Sequence, residues 1–261
     1  EKGDYYRLLY FVEGQSIESA ENDKQLFSAA AAFGKFQNDL ADYDASTLYE
    51  VIPQFHDTVK RFGDLEIAIA ENKAGRVSEV AAEIEYARSL KERIGVVVNG
   101  IKDGSVPLRV THNDTKLNNV LFDDNLENCI CVIDLDTVMP GSYLYDYGDA
   151  LRFAGSSAAE DEKDLSKIYF DMKKFEAFTS GYLSEVKNVL TEKEIELMPF
   201  SVELMTYECG IRFLTDYLNG DTYFKIHYEK HNLDRARSQF ALARDIDSKL
   251  GEMQNVIKKY L

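Results

Sequence analysis

The 261-residue sequence contains no Trp, only 4 Pro and 3 Cys, and its 30 Lys and Arg fall well short of its 46 Asp and Glu. Each shortage excludes a class of protein. The cysteines Cys129, Cys131 and Cys209 cannot make a disulfide framework. Cys129 and Cys131 alternate along an expected strand and so share a face, but two ligands fall short of a closed metal site, and buried reduced thiols are expected. No apolar run approaches the roughly 20 residues of a membrane-spanning helix, so no membrane partner is expected. The net charge of −16 argues against nucleic acid, because neutralising phosphates takes a basic surplus. The chain opens on Glu1-Lys2-Gly3-Asp4, which is no signal peptide, and a cytoplasmic location is expected. Glu1 is not an initiator Met, and the native gene product is expected to begin earlier.

What is present is material for one sizeable core: 45% of the residues are hydrophobic. Tyr5–Val12 is aromatic and branched and reads as a strand ending at Glu13-Gly14. Leu26, Phe27, Ala30, Phe33, Phe36 and Leu40 recur at helical spacing, which predicts a helix over Asp23–Leu40 with Asp23 as its N-cap. Further helices are expected near Val51–Phe62, interrupted at Pro53, and over Ser78–Ile94. Extended segments follow at Leu108–Thr111, Val120–Phe122 and Cys129–Ile133, the last two joined by the turn cluster Asp123–Asn128. After Pro140-Gly141 the pattern is helical to the end, in segments around Tyr147–Phe153, Lys163–Leu183, Thr191–Tyr217 and His231–Tyr260. The expected class is α+β, mostly helical, with one embedded hairpin.

The stretch that carries chemistry is His112-Asn113-Asp114-Thr115-Lys116-Leu117-Asn118-Asn119, then the hairpin, then Ile133-Asp134-Leu135-Asp136. Asn119 precedes the outgoing strand and Asp134 follows the returning one, so an antiparallel hairpin brings both to one end. An amide carbonyl and a carboxylate suit Mg²⁺ shared with phosphate oxygens. Asp114, on the loop entering that end, can accept a proton from a substrate hydroxyl. This division of labour matches the kinase template of an Asp base in H-x-D-x-x-x-x-N, an Asn ligand and a later metal-holding Asp. The alternative is a capped turn at His112 and Asp114 followed by an ordinary Asn118-Asn119 turn. The hairpin with a second Asp in register weighs against it.

The same segment resembles the catalytic region of the aminoglycoside phosphotransferase and choline kinase superfamily, which shares the protein kinase fold. More narrowly, H-N-D-T-K-x-N-N followed by V-I-D-L-D-T-V-M-P-G resembles the N-acetylhexosamine 1-kinases, as do Phe55–Thr58, Tyr145–Arg152 and Glu208–Asp221. The resemblance implies a kinase-like C-terminal lobe that uses ATP and Mg²⁺ on a small-molecule substrate, with Asp114 as base and Asn119 and Asp134 as metal ligands. It places the family's sugar-contacting arginine at Arg212, for which an ion pair with Glu208 is the competing reading. Tyr223 and Phe153 would line the sugar pocket or else serve the core. Lys116 can neutralise the transferring phosphoryl group, Asp136 would touch metal or substrate or support them, and His112 would anchor the loop. His227 and His231 have the spacing of a helical metal pair, but a solvated helix end is the reading preferred. His56 and Asp57 have no assigned role.

A complete kinase also needs a Gly-rich phosphate loop and a strand lysine, both carried by a β-rich N-terminal lobe. Neither is recognisable here. Phe11, Val12 and Glu13 resemble the hinge whose backbone meets adenine, so residues 1–14 are expected to be a remnant strand and hinge, and residues 15–261 the helical catalytic lobe. Activity is expected of the full-length protein and not of this chain alone. A catalytically dead binding module is the alternative of another class, and the intact Asp114, Asn119 and Asp134 oppose it.

Overall fold

The computed structural model describes Gly3, Tyr6 and residues 8–261. It is a mostly helical α+β fold, 57% helix and 6% strand. Among the described residues the elements run α1 (Asp23–Asp39), α2 (Thr58–Glu71), α3 (Ala81–Ser89), α4 (Val96–Asp103), β1 (Arg109–Thr111), β2 (Val120–Phe122), β3 (Cys129–Val132), β4 (Met139–Gly141), α5 (Tyr143–Ala154), α6 (Met172–Val186), α7 (Glu192–Leu218), α8 (His231–Asp247) and α9 (Leu250–Tyr260). None of these helices is long and apolar enough to cross a membrane.

The centre of the molecule is α7. It is buried on most sides by α2, α5, α8 and α9, and its buried residues include Glu194, Glu203, Glu208 and Asp216. Thr191 starts it with a capping box: its hydroxyl accepts from the Glu194 N–H while the Glu194 carboxylate accepts from the Thr191 N–H. Helix α5 crosses α7 at Gly148, where a Cβ would come within 2.4 Å of the Ser201 carbonyl. Only glycine allows that approach, and the approach fixes the polar face of α5 against the site. Helix α1 packs on α6 and on β3, which ties the hairpin to the helical body.

Two small antiparallel pairs form the site end. β2 and β3 make the expected hairpin, with Val120 opposite Val132 and an irregularity between Leu121 and Phe122. β1 pairs with β4, Arg109 opposite Gly141, a partner that sequence reading missed. Three-residue strands carry too little alternation to be recognised.

Several expectations are corrected. Tyr5 and Arg7 lie outside the described residues, and Leu8–Val12 form no strand but stand exposed. The chain first pairs at Gln15, whose backbone exchanges hydrogen bonds with Phe122. The cap of α1 is Asn22, whose side chain accepts from the Gln25 N–H, with Asp23 already inside the helix. No helix covers residues 51–57, which turn, and α2 starts only after the Asp57 cap. The Ser78–Ile94 segment is a 3₁₀ turn and the short α3, with the unforeseen α4 after it. His231–Tyr260 divides into two helices at Ser248-Lys249, where no Gly or Pro marks the break. His231 is 2% exposed and bonds Asp161, so this is no solvated helix end. Cys129, Cys131 and Cys209 are free, partly buried thiols.

Candidate active site

The loop from His112 to Asn119 is held from below by one buried carboxylate. Asp146, on the first turn of α5, accepts from the backbone N–H of His112 (2.8 Å) and of Asn113 (2.7 Å) and from Gln37 Nε2 (2.8 Å). Its carbonyl accepts from the Thr115 hydroxyl at 2.6 Å. Burial pushes the Asp146 carboxyl above its ordinary value, against the pull of the His112 ring and these donors. Tyr182 and Tyr143 complete the network by donating to the Gln37 side-chain and backbone oxygens.

His112 packs edge-on against Phe33 and Phe36 of α1. Its Nδ1 accepts from the Asp114 N–H at 3.3 Å, and its Nε2 donates to the Ile133 carbonyl at 2.9 Å. Both ring nitrogens are therefore committed to backbone, one on each side of the site. Asn113 adopts the left-handed conformation (φ 64°), which Asn tolerates better than most residues, and its amide donates to the Thr111 and Thr137 carbonyls. The Thr137 hydroxyl returns a bond to the His112 carbonyl. The catalytic loop and the segment after the hairpin are thus stitched together at three points.

Asp114 emerges from this frame half-buried. Its Oδ1 lies 2.8 Å from Lys116 Nζ, and its Oδ2 accepts from Asn119 Nδ2 at 2.9 Å. Asn119 Nδ2 also donates to the Asp114 carbonyl, so Asn119 Oδ1 is the atom left to meet a cation. The Asn119 carbonyl accepts from the Ile133 N–H, which sets the start of β2 beside the end of β3. Asp134 follows immediately in the left-handed region (φ 57°), strained for a non-glycine residue, and is exposed. An amide oxygen and a carboxylate at one hairpin end form a hard-oxygen donor set that fits Mg²⁺. Asp136, also exposed, lies on the turn that follows.

Beyond Lys116 a second polar layer runs along α5 to α7. Arg152 is 6% exposed and bonds Asp149 and Glu160, each at 3.0 Å. Burial opposes ionisation of Asp149, but the Arg152 guanidinium bonded to it outweighs this and holds the carboxyl below its usual range. Arg212 has no carboxylate within ion-pair distance among the described residues, and stands over Phe55 (5.4 Å) and Phe224 (5.6 Å). The Glu208 reading of its partner is therefore corrected: Glu208 takes His56 and Thr58 instead. Arg212 and Tyr223 line one cavity of about 330 Å³ with Arg61, Asp216 and Phe224. Phe153 is not part of it and borders a separate cavity with Leu117 and Arg152. Sequence reasoning missed Asp146, Asp149 and Arg152 as individual groups. Their three-residue spacing, which stacks three charges on one face of an apolar helix, was the signal available.

With this geometry in place, the chain's relatives give its class. Residues 1–178 match the phosphotransferase enzyme family APH, and the chain belongs to that family. Three solved structures share the fold. A choline kinase from Cryptosporidium parvum Iowa II superposes with a TM-score of 0.52 at 14% identity, over 96% of this chain and 72% of its own. An ADP-bound aminoglycoside phosphotransferase, APH(2'')-Ib, gives 0.51 at 16%, over 90% and 71%. An ethanolamine kinase from Plasmodium vivax gives 0.51 at 16%, over 90% and 66%. The fold and the family together define the class as a phosphotransferase of the APH family.

Proposed function

We propose that the full-length protein moves the γ-phosphoryl group of ATP to the anomeric hydroxyl of an N-acetylhexosamine. The observation that carries the transfer step is Asp114, flanked by Lys116 and Asn119, at the hairpin end that Asp134 also occupies. In this reading Asp114 takes the hydroxyl proton as the acceptor oxygen bonds to phosphorus and the bond to ADP breaks. Lys116 turns from Asp114 to the charge gathering on the phosphoryl oxygens. Mg²⁺, held by Asn119 Oδ1 and Asp134, would neutralise and orient the triphosphate. His112, with both nitrogens occupied, fixes the loop and moves no proton. The Phe11–Glu13 backbone would serve as the hinge that faces adenine, a role open to a segment in which Phe11 stands 90% exposed.

The acceptor reading draws support from the cavity around Arg212. Each acid on its wall is spent elsewhere: Asp64 on Lys60, Glu71 on Lys73, and Asp216 on the N–H groups of Thr222, Tyr223 and Phe224. Within a protein of net charge −16 the cavity therefore presents an unpaired guanidinium beside aromatic rings. With Asp64, Glu71 and Asp216 balanced by Arg61, Lys73 and Arg212 on the same wall, the cavity has no surplus negative charge to draw choline or an aminoglycoside, and it suits a neutral hydroxylated ring with an acetamido oxygen.

The test is an assay of the full-length protein with Mg-ATP and N-acetylglucosamine, N-acetylgalactosamine, kanamycin or choline. Turnover of an N-acetylhexosamine is expected. Turnover of choline or kanamycin alone overturns the acceptor and leaves the phosphotransferase standing. Asp134→Ala should abolish metal-dependent nucleotide binding, and calorimetry showing normal Mg-ATP affinity would remove Asp134 from the metal site.

A further inference from the structure

His56 is 8% exposed, and its Nε2 is buried with no hydrogen-bond partner among the described residues. A polar atom at that depth is nearly always satisfied, so the exception calls for a physical reason. The other end of the ring is fully determined. Nδ1 lies 2.8 Å from Glu208 Oε1, and the second Glu208 oxygen accepts from the Thr58 hydroxyl. Glu208 is 1% exposed; burial would raise its pKa, yet His56, Thr58 and Arg212 hold it below the usual carboxylate range. In the neutral ring, a carboxylate there takes the proton-bearing Nδ1 as its donor, and Nε2 then carries a lone pair. Phe55 and Tyr145 clamp the ring, with centroids at 4.4 and 5.3 Å.

The position of the ring gives this lone pair a use. The ring borders a cavity of about 180 Å³ that also touches Asn113, the neighbour of Asp114. Its wall residue Phe55 is also the ring beneath Arg212. Asp149 stands one turn beyond Tyr145 on the same helix, α5. His56 thus stands between the catalytic loop and the Arg212 cavity. Ile52 and Gln54, from the exposed turn at residues 51–54, form part of the same cavity wall.

We infer that His56 Nε2, oriented by Glu208 and Thr58, accepts a hydrogen bond from a hydroxyl of the acceptor substrate. This rests on the acceptor reading above and adds a specificity residue to it. A lone pair demands a donor, which a polyol supplies from a hydroxyl other than the reacting one, whereas the single hydroxyl of choline is the one that reacts.

The experiment follows the ¹⁵N signals of His56 in the full-length protein during titration with N-acetylglucosamine, N-acetylgalactosamine, kanamycin and choline. It is paired with acceptor affinities of His56→Asn, which keeps a donor at the Nδ1 position for Glu208 and deletes Nε2. Expected are an upfield move of the unprotonated nitrogen on sugar binding and an acceptor affinity about five- to tenfold weaker in the variant. ATP affinity and melting temperature should be unchanged, which a merely structural role would not predict. An unmoved His56 nitrogen with every compound, or normal acceptor affinity in His56→Asn, overturns the inference. Phosphoryl transfer to a sugar alongside that result would leave the proposed function intact, whereas a His56 response to kanamycin alone would keep the contact and remove the sugar.

Discussion

The two sides of the site are built differently. On the catalytic side each anchoring group has its partner: Asp146 takes three N–H donors, His112 uses both nitrogens, and Asn113 and Thr137 cross-link the two loops. On the acceptor side, among the described residues, Arg212 lacks an ion pair, Tyr223 is 73% exposed, and His56 keeps an unpartnered nitrogen. Positioning a base against a phosphoryl group tolerates little error, so that geometry is over-determined by buried bonds. Choosing an acceptor needs polar groups that remain unsatisfied until the ligand arrives. An open, under-bonded wall is what such selection looks like before binding.

The largest effect that separates the two sides is chemical. Asp114→Asn should lower kcat by about 10²–10⁴-fold while leaving the KM values for ATP and acceptor nearly unchanged. An unaltered kcat would remove Asp114 from the mechanism and, with it, the reason for so rigid a loop. Next is the frame itself. Asp146→Ala strips a partner from three buried donors and should cost about 3–5 kcal/mol of stability, read by denaturant unfolding. A loss under about 1 kcal/mol would show that the loop holds its shape without this anchor.

Arg212→Ala should do the opposite: raise acceptor KM, spare ATP KM and preserve folding. A hydrogen bond from a charged group is worth about 1.5–3 kcal/mol, hence roughly a ten- to a hundredfold loss in kcat/KM. Glu208→Ala serves as the contrast. Because the Glu208 hydrogen bonds go to His56 and Thr58, and Arg212 acts on it only through its charge, removal of Glu208 should lower the melting temperature, which Arg212→Ala should leave in place. Matching stability defects in the two variants would mean that Arg212 and Glu208 act as one unit after all.

How much was legible in sequence divides along the same line. The loop from His112 to Asn119 and Asp134 could be placed because the chemistry lies within one short stretch and a single hairpin, whose register follows from local pattern. The anchor could not: Asp146 is separated from His112 by 34 residues, and nothing in its own neighbourhood says which loop it holds. Likewise His56 and Glu208 are 152 residues apart and meet only because α2 packs on α7. The Arg212–Glu208 pair looked sound at helical spacing, yet Glu208 had two better partners arriving from another element. Local spacing shows which contacts a helix permits, and the competing offers come from tertiary structure.

The smallest effect tests how open the acceptor wall is. The Tyr223 side chain stands largely in solvent, edge-on to Phe224 with ring centroids 4.8 Å apart, while its backbone N–H donates to Asp216. That backbone bond survives Tyr223→Ala, so the loop should keep its place and the melting temperature should not move. What is lost is one aromatic face for the acceptor, and Phe224 remains beneath Arg212 to supply another. Stacking on an exposed ring contributes about 0.5–1 kcal/mol, which predicts a two- to fivefold rise in acceptor KM with kcat and ATP KM unchanged. A rise beyond about twentyfold would place Tyr223 in direct polar contact with the acceptor, a contribution larger than stacking supplies. No change at all would confine the acceptor to the space between Arg212, His56 and Asp114, and would leave Tyr223 as an ordinary exposed residue.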